Sequence, residues 1–132
     1  MSTDYAVTIN LPTHKRGDEW PGIPVIGPII IDGTTPAEEL TRIRCHFVCR
    51  STPALVYRLD TDTEAEPDAP IFIDDAVNWE AHVPPIYTGF LSESGEWEWD
   101  MEFYRDGRTV PITLYKGVLT VKKDTTSTVT PP

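Results

Sequence analysis

Prolines stand at positions 12, 21, 24, 28, 36, 53, 67, 70, 84, 85 and 111 and at the last two positions, so that before residue 85 no 20 consecutive residues are free of one. A proline inside a helix removes one backbone hydrogen bond and pushes its ring against the preceding turn, which breaks or kinks the helix. Long helices are therefore excluded over most of the chain. What remains available is extended structure joined by turns.

The length of 132 residues fits one domain. With 39% of residues hydrophobic, roughly 51 side chains can fill a single core, and neither a disulfide nor a structural metal is needed to hold it. No run of 18 apolar residues is present, and the start Met1-Ser2-Thr3-Asp4 lacks the basic and apolar regions of a signal peptide. The expectation is a product not exported by the usual route. Twenty-one Asp and Glu against 11 Lys and Arg give a formal charge of −10, which repels phosphate backbones and anionic lipid. A nucleic-acid partner and membrane insertion are accordingly not expected.

Hydrophobic periodicity supplies the elements. Tyr5, Val7, Ile9 and Leu11 alternate with polar residues before Pro12 and predict a first strand. Residues 12–28 read as a Pro/Gly-rich loop, followed by a short edge strand at Ile29–Ile31 and at most one helical turn at Glu38-Glu39. Leu40–Arg50 is the clearest strand: Ile43, Cys45, Phe47 and Cys49 share one face, and Arg42, Arg44, His46 and Arg50 the other. Ala54–Asp60 returns from it as a hairpin. An acidic loop at 61–69 precedes a short strand at Ile71 and Ile73, then an alternation of Val77, Trp79, Ala81 and Val83.

Further on, Trp97, Trp99, Met101 and Phe103 lie opposite Glu96, Glu98, Asp100, Glu102 and Tyr104. Asp106-Gly107 predicts a hairpin turn, Thr109–Tyr115 the return strand, Lys116-Gly117 another turn and Val118–Lys122 a last strand. These seven to nine short strands predict an all-β fold, a two-sheet antiparallel sandwich over residues 1–126 with a flexible tail at 127–132; a small barrel is the alternative.

The candidate chemistry is sparse. Cys45 and Cys49, four residues apart on a strand, have Cα atoms about 13 Å apart, too far for a disulfide or a shared zinc, and are expected as buried free thiols. Asp60, Asp62 and Glu64 resemble half a calcium loop, but Ala65 stands where Gly is needed and Ile71 where the bidentate Glu belongs. The carboxylates at 96, 98, 100 and 102 lie about 6.6 Å apart, a separation known from inverting glycosidases, yet any strand with a charged face has it. The arginine face at 42, 44 and 50 is their natural counterpart. His14, His46 and His82 are isolated from nucleophiles and expected at the surface. No motif for a hydrolase, a metalloprotease or nucleotide binding occurs. Catalytic, cofactor and metal residues are therefore not expected.

The segments Glu39–Arg50, Gly95–Phe103 and above all Asp106–Thr126 (DGRTVPITLYKGVLTVKKDTT) resemble the N-terminal domain of phage baseplate upper proteins and related tail modules. The resemblance implies an immunoglobulin-like domain that attaches fibres or receptor-binding proteins to the virion without catalytic residues. No coiled coil or fibre repeat follows Asp124, which points to an adaptor or assembly subunit rather than the root of a fibre. The implied partners are other virion proteins, met in many copies in a symmetric assembly after synthesis in the host cytoplasm. Capsid decoration is an alternative, and a carbohydrate-binding sandwich, with or without calcium, is another. Candidate interface residues are Trp20, Arg42, Arg44, Arg50, Glu96, Glu98 and Asp100. For Trp20 an internal place, capping one end of its own sandwich, is equally open.

Overall fold

The computed structural model describes residues 6–123; Tyr5 and the expected C-terminal tail at 127–132 lie outside the described residues. The fold is an all-β sandwich. The described residues form ten strands: β1 (Val7–Thr8), β2 (His14–Lys15), β3 (Ile23–Ile26), β4 (Leu40–Cys49), β5 (Val56–Asp60), β6 (Ala69–Pro70), β7 (Phe72–Asp75), β8 (Glu80–Val83), β9 (Gly95–Arg105) and β10 (Ile112–Lys122). A seven-stranded sheet runs β1-β10-β9-β4-β5-β6 with β2 also on β10, and a three-stranded sheet runs β3-β8-β7. Pairing is antiparallel at the centre, but β1 and β2 join β10 in parallel, as β6 joins β5, so the large sheet is mixed rather than purely antiparallel. Among the described residues no helix is long and apolar enough to cross a membrane.

Strict alternation sets the core. Ile43, Cys45, Phe47 and Cys49 of β4 lie opposite Phe103, Met101, Trp99 and Trp97 of β9, and all eight are buried. Each such pair places two apolar side chains side by side on the inner face, where a fully buried Ile, Phe or Met contributes about 1.5–3 kcal/mol. The small sheet closes over them with Ile26, Ala81 and Val83. Trp79 stacks on Phe103 at 6.1 Å and 13°, and its indole N–H donates to the Glu38 carbonyl at 2.9 Å. Cys45 and Cys49 are buried free thiols. Burial pushes the Cys45 thiol up, and Asp100 adds to it, so the group stays protonated.

Several expectations are corrected. The N-terminal strand is short and lies outside the core: β1 spans only Val7–Thr8, and Val7 and Ile9 are exposed. Ile29–Ile31 does not form an edge strand; Ile31 only bridges Thr34, while the strand of this region is β3, within the stretch read as loop. No helical turn forms at Glu38-Glu39. Val77 is exposed, because the backbone turns before β8: Asp75 accepts from the amides of Val77 and Asn78, and Trp79 takes a positive φ of 57°. Asp106-Gly107 forms the expected turn, the Arg108 amide donating to the Arg105 carbonyl at 3.1 Å, but the return strand begins only at Ile112, Pro111 having no amide to pair, and Val110 is 72% exposed.

Lys116-Gly117 is not a turn, since β10 passes through it without a break. Gly117 pairs with Trp99, and the Ile9 amide donates to the Lys116 carbonyl at 2.7 Å. A side chain at Gly117 would overlap the Ile9 carbonyl, so this glycine permits close approach of the N-terminal segment. Gly117→Ala is expected to lower stability by about 2 kcal/mol in chemical denaturation. Gly107→Ala, which meets open space at a φ of 73°, is expected to cost about 1 kcal/mol. Equal effects would contradict this account of Gly117.

Candidate interaction face

The same alternation that fills the core with Phe47, Trp97 and Trp99 sends the charged residues of β4 and β9 to the opposite, outer side of the large sheet. Across this face Asp60, Arg44, Glu102 and Thr113 form one row, Arg58, His46, Asp100 and Lys116 the next, and Val56, Val48, Glu98 and Val118 the third. Arg50 continues β4 beside Glu96, its amide donating to the Glu96 carbonyl at 2.9 Å. A basic strand thus lies against an acidic one. A shallow groove of about 630 Å³ lies over β9, with Arg44, His46 and Val48 of β4 on one side, Lys116 and Val118 of β10 on the other, and Glu98, Asp100 and Glu102 between.

Arg50 bridges the carboxylates in the manner the sequence suggests. Its Nη1 donates to Glu96 Oε1 at 2.7 Å, and Nε and Nη2 donate to Glu98 Oε1 at 3.2 and 2.9 Å. Arg42 and Arg44 turn the other way, toward β5. Arg42 makes a two-pronged pair with Asp60, Nε to Oδ1 at 2.9 Å and Nη2 to Oδ2 at 2.6 Å, and lies over the Tyr104 ring. Arg44 has Nε 3.8 Å from Asp60 Oδ2, donates to the Tyr104 hydroxyl at 3.2 Å and sits 3.3 Å from His46 Nε2.

Asp60, read from sequence as the last residue of a strand and the first of half a calcium loop, is 4% exposed and also accepts from the Asp62 amide at 2.9 Å. Burial alone raises its carboxyl, but Arg42, the Asp62 amide and Arg44 together outweigh that and hold it below the usual range. Asp62 accepts from the Glu64 amide and caps a short 3-10 turn at Thr63–Ala65. Two carboxylates of the half calcium loop, Asp60 and Asp62, are therefore engaged in structural bonds, while Glu64 is exposed. No group of three or more His, Cys, Asp or Glu able to hold a metal gathers among the described residues.

Trp20 takes the internal of its two places. It is 3% exposed, stacks on Phe90 at 4.1 Å and 16°, and meets Phe47 edge-on at 6.2 Å. Its backbone bridges Ile86, so it seals one end of the sandwich and is not a surface anchor. Trp97 and Trp99 are buried too, which removes from the surface the rings a sugar would stack on. His14 is a further correction, being 5% exposed and packed edge-on against Phe90 at 5.3 Å with Nε2 unpartnered. His46 is half-buried on the charged face. His82, also half-buried, pairs with Asp74 at 2.8 Å and stacks on Phe72.

Desolvation lowers the His14 pKa, partly opposed by Asp18, and desolvation with Arg44 lowers that of His46 against Asp100 and Glu102. The unfolded chain takes up protons near pH 6.5 that the folded chain resists, so stability is full above that pH and declines below it. The thermal midpoint is expected to fall between about pH 7 and pH 5, with a shallower slope in His14→Leu; an unchanged slope would refute a role for His14. Asp60→Asn, which leaves Arg42 without its counter-charge, is expected to cost about 2 kcal/mol in denaturant titration. Arg50→Ala, at an exposed pair, should change stability by less than about 1 kcal/mol.

No family model matches the chain, and no curated protein is significantly similar to it.

Proposed function

We propose that the chain is a non-enzymatic structural protein of a phage virion, an adaptor or assembly subunit of the tail or baseplate that docks onto other virion proteins. The observation that carries this reading is the outer face of the large sheet. It sets the basic side chains of β4 beside the acidic side chains of β9, on the face opposite the core. Charge laid out in stripes gives orientation and register to a protein contact more than raw affinity, which suits a subunit that must seat one way in a repetitive particle. Arg42, Arg44, Arg50, Glu96, Glu98 and Asp100 carry the contact, and Trp20 serves the fold beneath it.

The resemblance of Asp106–Thr126 and of the two earlier segments to baseplate upper protein domains supports the same reading. It favours the tail over the capsid. Synthesis in the host cytoplasm and incorporation into the virion follow from the proposal.

Mass spectrometry of gradient-purified particles is expected to detect the protein at a fixed ratio to a known tail protein. Washing with about 1 M salt, where screening acts within about 3 Å, is expected to release it. Particles of full infectivity that lack the protein would overturn the reading.

A further inference from the structure

The charge pattern of the outer face is complementary to itself. In the central two strands, the register sets Arg44 beside Glu102 and His46 beside Asp100, while Arg50 bonds Glu96. A twofold axis parallel to the strands, midway between β4 and β9, keeps each row at its height and exchanges the two strands. Arg44 of one copy then faces Glu102 of the other, His46 faces Asp100, and Arg50 faces Glu96. The next strands out follow the same exchange, so that Val56 of β5 meets Val118 of β10.

A twofold axis across the strands instead lays β9 over β9 and β4 over β4, acid on acid and base on base. The strand-parallel axis sets opposite charges face to face at Arg44 with Glu102 and at Arg50 with Glu96, while His46 offers Asp100 a ring nitrogen and Val48 lies over Glu98. One row opposes it: Arg58 and Lys116, each in the row of His46 and Asp100, come together at the outer corner. Sheets packed face to face cross at about 30°, so contact is closest at the centre and the corners diverge. The groove over β9, with Val48 of β4 on one side and Val118 of β10 on the other, gives the opposing side chains room to interleave.

We infer that this face pairs with the same face of a second copy of the chain, an isologous dimer about an axis parallel to β4 and β9. This rests on the docking role proposed above and names its first partner. Each copy carries a formal charge of −10, so two copies repel at long range. At about 0.15 M salt the screening length is about 8 Å, which quiets that repulsion while leaving contacts at bonding distance largely intact. The dimer therefore belongs to moderate salt and is lost when salt is high.

Analytical ultracentrifugation in about 0.15 M salt is expected to show a concentration-dependent dimer that becomes monomer near 1 M. Arg50→Glu, at an exposed side chain, is expected to weaken the dimer about tenfold, and the double reversal Arg50→Glu with Glu96→Arg to restore it to within about threefold. Thermal midpoints close to the unmodified protein's certify that these variants fold. A monomer at every concentration and salt overturns the inference, as does a dimer indifferent to Arg50→Glu or a double reversal that does not recover. Failure of the docking role reads differently: the protein is then missing from purified particles whatever its state in solution, whereas a monomer found in particles and released by salt refutes only the self-pairing.

Discussion

The pairing of β4 with β9 is the constraint on which the rest of the structure depends. Because side chains alternate along a strand, a slip of one residue in this register would turn Phe47, Trp97, Trp99 and Phe103 to water and the arginines and carboxylates into the core. The cost of either half of that exchange is far larger than any turn or loop preference in the chain. Core and charged face are thus the two sides of one decision. The same register that stacks aromatics inside brings Arg44 level with Glu102 outside.

The ends of the sandwich are closed by residues far apart in sequence. At one end Trp20, Phe90, Phe47, Tyr57 and His14 form a cluster of stacked and edge-on rings, with Phe90 in contact with the other four. At the other, Trp79 stacks on Phe103, which meets Tyr115 edge-on. The Pro-rich arm and the stretch that carries Phe90 form little regular structure of their own, so their positions follow from what their aromatic residues cover. An indole or phenyl ring buried at the mouth of a sandwich removes more apolar surface than a short strand could there.

How much of this was legible depends on whether the signal was local. The long strands could be read because the alternation in Leu40–Arg50 and Glu96–Tyr104 occupies consecutive residues, and the link between Arg50 and Glu96/Glu98 followed from the two faces. Gly117 could not be read, because a glycine after a lysine suits a turn as well as a crossing, and only the passage of Ile9 over it decides. Trp20 was ambiguous for the same reason: its partner Phe90 sits in another loop. Asp60 was hidden among neighbouring acids, although its place at the end of β5 opposite Arg44 is what makes it the acceptor for Arg42. His14 lies in a two-residue strand with no periodicity to reveal it.

The formal charge of −10 is unevenly distributed, and its parts do different work. Thirteen of the 21 acids lie between Asp60 and Tyr104, where no Lys or Arg occurs, and they divide by environment. Asp60 is buried and anchors two arginines to β5; Asp62 and Asp75 hold turns; Glu64 and Glu66 are exposed on the 61–69 loop. Only Glu96, Glu98, Asp100 and Glu102 form a row, and they do so because β9 keeps every second residue outward. A row of four like charges repels itself, and on a sheet the nearest relief is a cation on the adjacent strand. β4 supplies it at Arg44 and Arg50, and β10 at Lys116. The acids outnumber the cations beside them, however, so the balance of the face remains negative at β9 and positive toward β4. A polarity of this kind is weak as a source of stability, since exposed pairs contribute less than about 1 kcal/mol each. It is strong as a source of orientation, because turning a partner around in the plane sets the β9 acids against each other and the β4 arginines against each other.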